Sequence, residues 1–204
     1  MKARYRIWSR ILSALVPLEV LETVVRRSSD RMFQRTSAKF EYWGGNGSRI
    51  SYPWNALVGC GSIRIGQRVH INKGLFLGAY GPADRRGQIV IGDDVVINYD
   101  CQVTACNSVT IGKGVLMGSR VLVTDHGHGD VSPEALALPP MERELVSKGP
   151  VVIGDHCWIG SGVAILPGVT LGESSVVGAN AVVTRSFPPR SVIGGNPARL
   201  IRSV

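Results

Sequence analysis

Aromatic residues and long apolar runs are both scarce in this chain. Aromatics make up 6% of the 204 residues, whereas glycine occurs 25 times. This composition is less typical of a helical bundle than of repeated tight turns around one narrow aliphatic core. The most apolar stretch near the start is too short and too interrupted to span a bilayer, and no small-residue cleavage site follows it. We therefore expect neither a membrane-spanning helix nor a signal peptide.

Paired cysteines are missing as well. The four cysteines (Cys60, Cys101, Cys106 and Cys157) show no CxxC spacing. Neither a disulfide framework nor a cysteine metal site is indicated, so we expect free thiols in a reduced, cytoplasmic protein.

Basic residues are not spread along the chain as in a typical nucleic-acid-binding surface. The formal net charge is +8, but residues 1–35 alone hold eight basic residues against three acidic ones. This local excess argues against binding to nucleic acid. It favours an acidic partner, either a phosphate-bearing cofactor or an anionic lipid surface.

The N-terminal segment, residues 4–27, is predicted to be an amphipathic helix that Pro17 breaks or kinks. Its apolar stripe would pack on the chain's own core, on a sister subunit, or on the inner face of a membrane. We therefore assign residues 1–47 to a helical extension and linker, and residues 48–204 to the main domain.

The stretch from Val151 to Val183 dominates the rest of the chain. An aliphatic residue returns at every sixth position, usually followed by glycine. A period that is a multiple of two keeps these side chains on one side of an extended backbone, and glycine permits a sharp corner. The pattern predicts a parallel β-helix in which three hexads form each turn. The aliphatic positions are Ile153, Ile159, Ile165, Leu171, Val177 and Val183.

Similar hexads before this stretch raise the predicted number of coils to about five. The earlier coils are centred on Ile65, Ile71 and Leu77, on Ile91, Ile97 and Val103, and on Ile111, Met117 and Val123. Each is interrupted after its third hexad, most extensively by the loop at residues 125–150 between coils three and four. The three insertions should therefore leave the prism along one edge, and so long a loop suggests a functional role.

The densest group of titratable side chains opens this loop. Asp125, His126 and His128 lie within TDHGHG. Histidine can take a proton from a hydroxyl near neutral pH when a neighbour orients its ring. A solvated turn is the alternative interpretation. His70 and His156 are expected to be ordinary surface residues of their hexads.

Five motifs follow one another along the chain: TDHGHG, PPMERELVSKGPVVIG, HCWIGSGVAILPGVTLG, VVGANAVVTRSFPP and GGNPARLI. In this order they resemble the hexapeptide-repeat acyltransferases with a left-handed β-helix, particularly galactoside, maltose, nodulation-factor and surface-polysaccharide O-acetyltransferases. The resemblance covers about residues 60–202. The resemblance implies a left-handed, all-β helix and acetyl-coenzyme A as cosubstrate, with no metal required. It implies a homotrimer whose active sites lie between subunits.

The resemblance also assigns roles. His126 matches the catalytic base, with Asp125 beside it, while Asn98 and His128 match acceptor-binding positions. Asn98 has an alternative role as a corner residue of the β-helix. The residues that match the coenzyme groove are Trp158, Ser161, Ala179, Thr184, Arg185, Arg199 and Arg202. Independently of the resemblance, Ser161 and Ala179 stand 18 residues apart, so they should be neighbours in adjacent coils.

The leading prediction is an acetyl-coenzyme A-dependent O-acetyltransferase that acts on a sugar hydroxyl in surface-polysaccharide or glycolipid synthesis, at the cytoplasmic side of the membrane. An N-acetyltransferase of amino or nucleotide sugars and a xenobiotic acetyltransferase remain alternatives. A zinc carbonic anhydrase on the same fold is disfavoured, since only His126 and His128 of the four histidines lie close in sequence. A third alternative is a scaffold protein without catalytic activity, whose function would be unchanged by His126→Ala.

Overall fold

The computed structural model describes residues 17, 20, 23–25, 27, 28 and 35–204. Helical backbone is present at residues 20, 23–25, 27, 28 and 35–37. Residue 17 is described and is not helical, and the other residues of the predicted N-terminal helix lie outside the described part of the chain. Within the described part of the chain, no helix is both long and apolar enough to cross a membrane.

Short parallel strands stack into three faces of a prism, and the chain visits the faces in a fixed order. The first face contains β1 (Tyr42–Trp43), β4 (Ile63–Ile65), β7 (Gln88–Ile91), β10 (Ser108–Ile111), β15 (Val151–Ile153) and β18 (Thr170–Leu171). The second contains β2 (Arg49–Ile50), β5 (His70–Ile71), β8 (Val96–Ile97), β11 (Leu116–Met117), β16 (Trp158–Ile159), β19 (Val176–Val177), β21 (Ser191–Gly194) and β22 (Arg199–Ser203). The third contains β3 (Ala56–Val58), β6 (Phe76–Ala79), β9 (Gln102–Ala105), β12 (Leu122–Thr124), β17 (Ala164–Ile165) and β20 (Val182–Val183).

This arrangement confirms the predicted parallel β-helix. All fifteen aliphatic hexad residues named from the sequence are buried, and the register stacks them on one another from turn to turn. On the second face, for example, Ile97 pairs with Met117 and Met117 with Ile159. Cys101 and Cys157 are buried among these ladders as free thiols, so they act as small core residues.

Paired strands begin earlier than the first predicted coil. β1, β2 and β3 add one strand to each face ahead of Ile63, and β1 lies within the range assigned to the N-terminal extension. The aromatic residues of this segment help to close the end of the prism, since Phe40 is buried and its ring lies 5.6 Å from that of Trp43.

Glycine is needed at the corners because successive turns approach closely. A Cβ on Gly92 would lie 2.8 Å from the backbone nitrogen of Lys113 and 2.9 Å from the carbonyl carbon of Gly112. No side chain fits into that space, so the glycine that follows the aliphatic residue is a packing requirement.

The three insertions leave the prism at a single edge, where the third face meets the first. They follow β6, β9 and β12, all in the third face. The longest insertion contains a hairpin of β13 (His126–His128) and β14 (Leu145–Ser147), together with helix α1 (Pro133–Leu136), which Ser132 caps. At the other end of the prism, β22 runs antiparallel to β21 and covers the last turn of the second face.

Ile159→Ala tests the contribution of the aliphatic ladder. Ile159 is fully buried in the second face, so we expect the free energy of unfolding to fall by about 2–5 kcal/mol, and by about 0.5–1.5 kcal/mol for Ile159→Val. Val131→Ala, at an 85% exposed position of the long loop, serves as the control and should change it by less than about 0.5 kcal/mol. The free energies are measured by denaturant unfolding at one protein concentration. Equal decreases for Ile159→Ala and Val131→Ala would contradict the burial of Ile159 in the core.

Candidate active site

An imidazole–carboxylate pair stands at the start of the long insertion. Nδ1 of His126 lies 2.8 Å from Oδ1 of Asp125. The Asp125 side chain is fully buried, and the His126 side chain is 9% exposed. The pair forms because β12 ends at Thr124, which turns Asp125 inward while His126 begins the hairpin strand β13.

The Asp125 carboxylate is held by the backbone of the preceding turn. The N–H groups of Cys106 and Asn107 donate to Oδ1 and Oδ2 at 2.8 and 2.7 Å. Burial is the largest single effect on the Asp125 pKa and raises it, but the hydrogen bonds from His126 and from these two backbone groups together outweigh burial. The net effect is a pKa below the ordinary value, so Asp125 is ionised at neutral pH.

An ionised Asp125 fixes the tautomer of His126. Because the carboxylate can only accept hydrogen bonds, Nδ1 of the neutral imidazole must donate, which leaves the lone pair of Nε2 free to accept a proton. Thr124 reinforces the turn, since its hydroxyl donates to the carbonyl oxygen of His126 at 3.2 Å. The arrangement is that of a general base with an orienting carboxylate.

His128 lies on the same hairpin strand but apart from this pair. It is exposed and pairs with Leu145 across the hairpin, whereas His126 pairs with Ser147. His70 and His156 are also exposed, as expected from the sequence.

Tyr80, Cys106 and Asn107 contact the pair and were not identified from the sequence. The Tyr80 ring meets the His126 ring edge to face, with ring centroids 5.8 Å apart and an interplanar angle of 77°. Burial raises the pKa of the Tyr80 hydroxyl, which therefore stays protonated at neutral pH. Cys106 and Tyr80 follow β9 and β6, so their proximity to His126 results from two insertions meeting at one edge.

Cys106, Asp125 and His126 also offer potential metal ligand atoms within 4.8 Å of one another. However, both carboxylate oxygens already accept hydrogen bonds from protein groups. Burial, followed by the charge of Asp125, raises the pKa of the Cys106 thiol to about 11, whereas a metal ligand must be a thiolate. The donor set fits an oriented base better than a metal site.

Ser161, Ala179 and Asn98 lie on a different edge, where the second face meets the third. Ser161 follows β16 and Ala179 follows β19, and the N–H of Asn180 donates to the carbonyl oxygen of Ser161 at 2.9 Å. The predicted equivalence of Ser161 and Ala179 is thereby confirmed, and both are exposed. Asn98 stands two turns earlier and accepts from the Asn72 side chain at 3.2 Å, which is consistent with its alternative role at a corner.

The remaining positions that match the coenzyme groove are divided between the edges and the second face. Thr184 and Arg185 follow β20 on the edge that carries His126, where the Arg185 guanidinium lies 5.3 Å from the centre of the Phe187 ring. Trp158 is 56% exposed on the second face. Arg199 and Arg202 lie in β22 at the end of that face. Within one chain, therefore, the candidate residues do not converge on a single pocket.

Comparison with known proteins agrees with this architecture. Residues 150–185 match the family model for the bacterial transferase hexapeptide (six repeats). Over 149 residues the chain is 41% identical to the putative lipopolysaccharide biosynthesis O-acetyl transferase WbbJ of Escherichia coli K12, an alignment that covers 70% of this chain and 72% of WbbJ. The chain belongs to the hexapeptide-repeat acetyltransferases.

Other members share different fractions of their length with this chain. The galactoside O-acetyltransferase of E. coli K12 is 37% identical over 57% of this chain and 54% of its own length. Among solved structures, a Vibrio cholerae hexapeptide-repeat acetyltransferase complexed with acetyl-coenzyme A is 28% identical, with a TM-score of 0.54 over 83% of this chain and 76% of that one. A galactoside acetyltransferase in complex with coenzyme A is 31% identical, with a TM-score of 0.52 over 78% and 63% of the two chains. Membership in the family gives the β-helix its left hand and confirms the predicted fold class.

Asp125→Asn tests the charge at the centre of the pair. The folded-state pKa of Asp125 is lowered, so its ionisation stabilises the fold above the ordinary aspartate pKa, and this contribution is lost as the pH falls through the folded-state value. At pH 7 we expect the variant to lose about 1–3 kcal/mol, since its amide group cannot accept both backbone N–H bonds and the imidazole bond. The difference in unfolding free energy between the variant and wild type should become smaller as the pH falls below about 4.

The matched control for this measurement is Asp84→Asn, because the Asp84 side chain is 76% exposed. Its denaturant midpoint should follow that of the wild type from pH 7 to pH 3. A stability difference for Asp125→Asn that stays constant over this pH range would contradict the assigned role of the charge.

Proposed function

We propose that the protein transfers the acetyl group of acetyl-coenzyme A to a sugar hydroxyl in the synthesis of a surface polysaccharide or glycolipid. The Asp125–His126 pair is the observation that carries the proposal, because hydroxyl acetylation needs an oriented base. The similarity to WbbJ and to galactoside O-acetyltransferase favours a carbohydrate acceptor.

In the proposed mechanism His126 acts directly on the acceptor. Nε2 of His126 takes the proton from the attacking hydroxyl, while Asp125 holds Nδ1 and stabilises the imidazolium that forms. Acetyl-coenzyme A supplies an activated thioester carbonyl. Transfer is direct, since Cys106 is kept as a neutral thiol and Cys157 is buried, which leaves neither well suited as a nucleophile.

The outer surface of the prism has features that fit the cosubstrate. Ser161 and Ala179 are small and exposed, so an extended pantetheine arm can lie along their edge. The exposed Trp158 ring offers an apolar surface, and Arg199 and Arg202 provide charge for phosphates. On the other edge, Thr184 and Arg185 lie two strands beyond the His126 turn, about 10 Å along the axis.

A homotrimer would bring the candidate residues of the two edges together in one site. His126 and Arg185 lie on one edge of the prism, and Ser161 and Ala179 lie on another. In a threefold assembly the first edge of one copy faces the second edge of its neighbour, so that each active site is built from two subunits. Asn98 lies on the same edge as Ser161, and in this arrangement it would face the His126 of the neighbouring copy.

Location and membrane contact are part of the same proposal. The four free cysteines suit a reduced, cytoplasmic setting. Contact of residues 1–27 with the inner membrane face, which would bring the enzyme to a lipid-linked acceptor, involves residues largely outside the described part of the chain.

His126→Ala tests the mechanism. We expect kcat for acetyl transfer to fall about 10³-fold, because the general base is lost, while coenzyme A still binds with nearly unchanged affinity. The measurements are thiol release with a panel of sugars, nucleotide sugars, aminoglycosides and lipid-linked glycans, and calorimetric binding of coenzyme A. His70→Ala, at an exposed histidine of the second face, is the control and should keep full activity.

The same panel separates the alternatives. Transfer to amino groups alone would favour an N-acetyltransferase, and transfer to an antibiotic alone would favour a xenobiotic enzyme. Full activity of His126→Ala would overturn the proposed base.

Complementation tests the site between subunits. Ala179→Trp fills the proposed groove on one edge, and His126→Ala removes the base on the other, so each variant alone should be inactive. Trimers mixed at a one-to-one ratio should recover up to about a quarter of wild-type activity, because some sites then combine an intact edge from each variant. Mixed oligomers that stay inactive would place the whole site within one chain.

A further inference from the structure

The His126–Asp125 hydrogen bond restrains one distance of the imidazole ring, that between Nδ1 and Oδ1. The His126 side chain has two torsion angles, χ1 and χ2, so one distance leaves the tilt of the ring partly free. A change of tilt would change the direction in which the Nε2 lone pair points. A second contact is needed to fix the plane of the ring, and a small misplacement of a catalytic group can cost up to about 10²-fold in rate.

Tyr80 supplies that contact. Its ring meets the imidazole edge to face at 5.8 Å between centroids, a geometry that aromatic rings prefer. The backbone at Tyr80 is held on both sides, because its N–H donates to Ala105 and its carbonyl oxygen accepts from Gly87, both at 2.8 Å. The tyrosine is therefore anchored independently of the long loop that carries His126.

Gly78 makes room for the tyrosine ring. A Cβ on Gly78 would lie 2.8 Å from the Tyr80 hydroxyl oxygen and 2.9 Å from Cζ. Gly78 lies in a regular strand, paired with Val58 and Thr104, so its backbone conformation does not require glycine. Glycine is needed here because a side chain would collide with the Tyr80 ring. Tyr80 thus lies over Gly78 on the outer surface of the third face, against the base.

We propose that Tyr80, seated on Gly78, is a positioning residue that fixes the plane of the His126 imidazole and so aims Nε2 at the acceptor hydroxyl. This inference rests on the proposed function for its catalytic consequence, but the contact itself can be tested without an acceptor. The hydroxyl of Tyr80 takes no part, since the contact is made by the ring.

Four variants separate this role from a purely structural one. Tyr80→Phe keeps the ring and should retain kcat within about twofold. Tyr80→Ala should lower kcat about 10–100-fold with the KM for acetyl-coenzyme A unchanged. Gly78→Ala, which leaves Tyr80 and His126 chemically intact, should lower kcat in the same direction by displacing the ring. The double variant Gly78→Ala/Tyr80→Ala should be no slower than Tyr80→Ala, because the two changes act through one contact.

The acceptor-independent readout is the proton NMR spectrum of the imidazole carbon-bound hydrogens. The chain has four histidines, and His126→Ala identifies the signals of His126. The ring current of Tyr80 should shift these signals in wild type and Tyr80→Phe, and the shift should be lost in Tyr80→Ala and reduced in Gly78→Ala. Thermal unfolding should be nearly the same for all variants.

The two proposals fail in different ways. The positioning role would be overturned by any of three results. These are unchanged His126 proton shifts in Tyr80→Ala, full kcat in that variant, or a double variant whose decrease in kcat is the product of the two single decreases. Absence of transfer to every acceptor in wild type, with the NMR shifts as described, would overturn the proposed function and leave the ring contact standing.

Discussion

In-register pairing between successive turns is the constraint on which the rest of this structure depends. Each strand is only two to five residues long, too short to be stable alone, so every turn relies on the turn above and the turn below. The buried aliphatic ladders enforce the register, because a slip of one residue would turn every inward side chain to the outside. Once the register is set, residues far apart in sequence stack in columns. The candidate site is assembled from such columns and from the insertions between them.

The Asp125 carboxylate, at the start of the long insertion, depends on hydrogen bonds from the neighbouring turn of the β-helix. An aspartate buried at the edge of an aliphatic prism is unfavourable unless its charge is satisfied. The turn after β9 satisfies it by directing the N–H groups of Cys106 and Asn107 at the two oxygens. This backbone is held in place by the pairing of β9 with β6 and β12. The orientation of the base is thus supported by an interrupted turn of the β-helix, not by the long loop alone.

The sequence predicted the fold well because the hexad period is a local signal that reports a global arrangement. It also predicted the Asp125–His126 pair, since the two residues are adjacent and open the longest insertion. Tyr80, Gly78 and Cys106 could not be found in this way. Tyr80 and Cys106 stand three residues after the ladder residues Leu77 and Val103, as His126 does after Val123. The count alone does not show which side chains meet, because each insertion takes its own path beyond this edge. By contrast, the spacing of 18 residues was enough to predict that Ser161 and Ala179 are neighbours.

The division of the candidate residues between two edges has a consequence for specificity. The edge with Ser161 and Ala179 follows uninterrupted hexads, so its shape is set by the repeat and suits a cosubstrate shared across the family. The edge with His126 carries all three insertions, whose lengths and side chains can change without disturbing the ladders. If each site combines one edge from each of two copies, acceptor choice can change through the insertions while the donor groove is preserved. In such an arrangement the repeat sets the shape of the edge with Ser161 and Ala179, whereas the insertions beside His126 are free to vary.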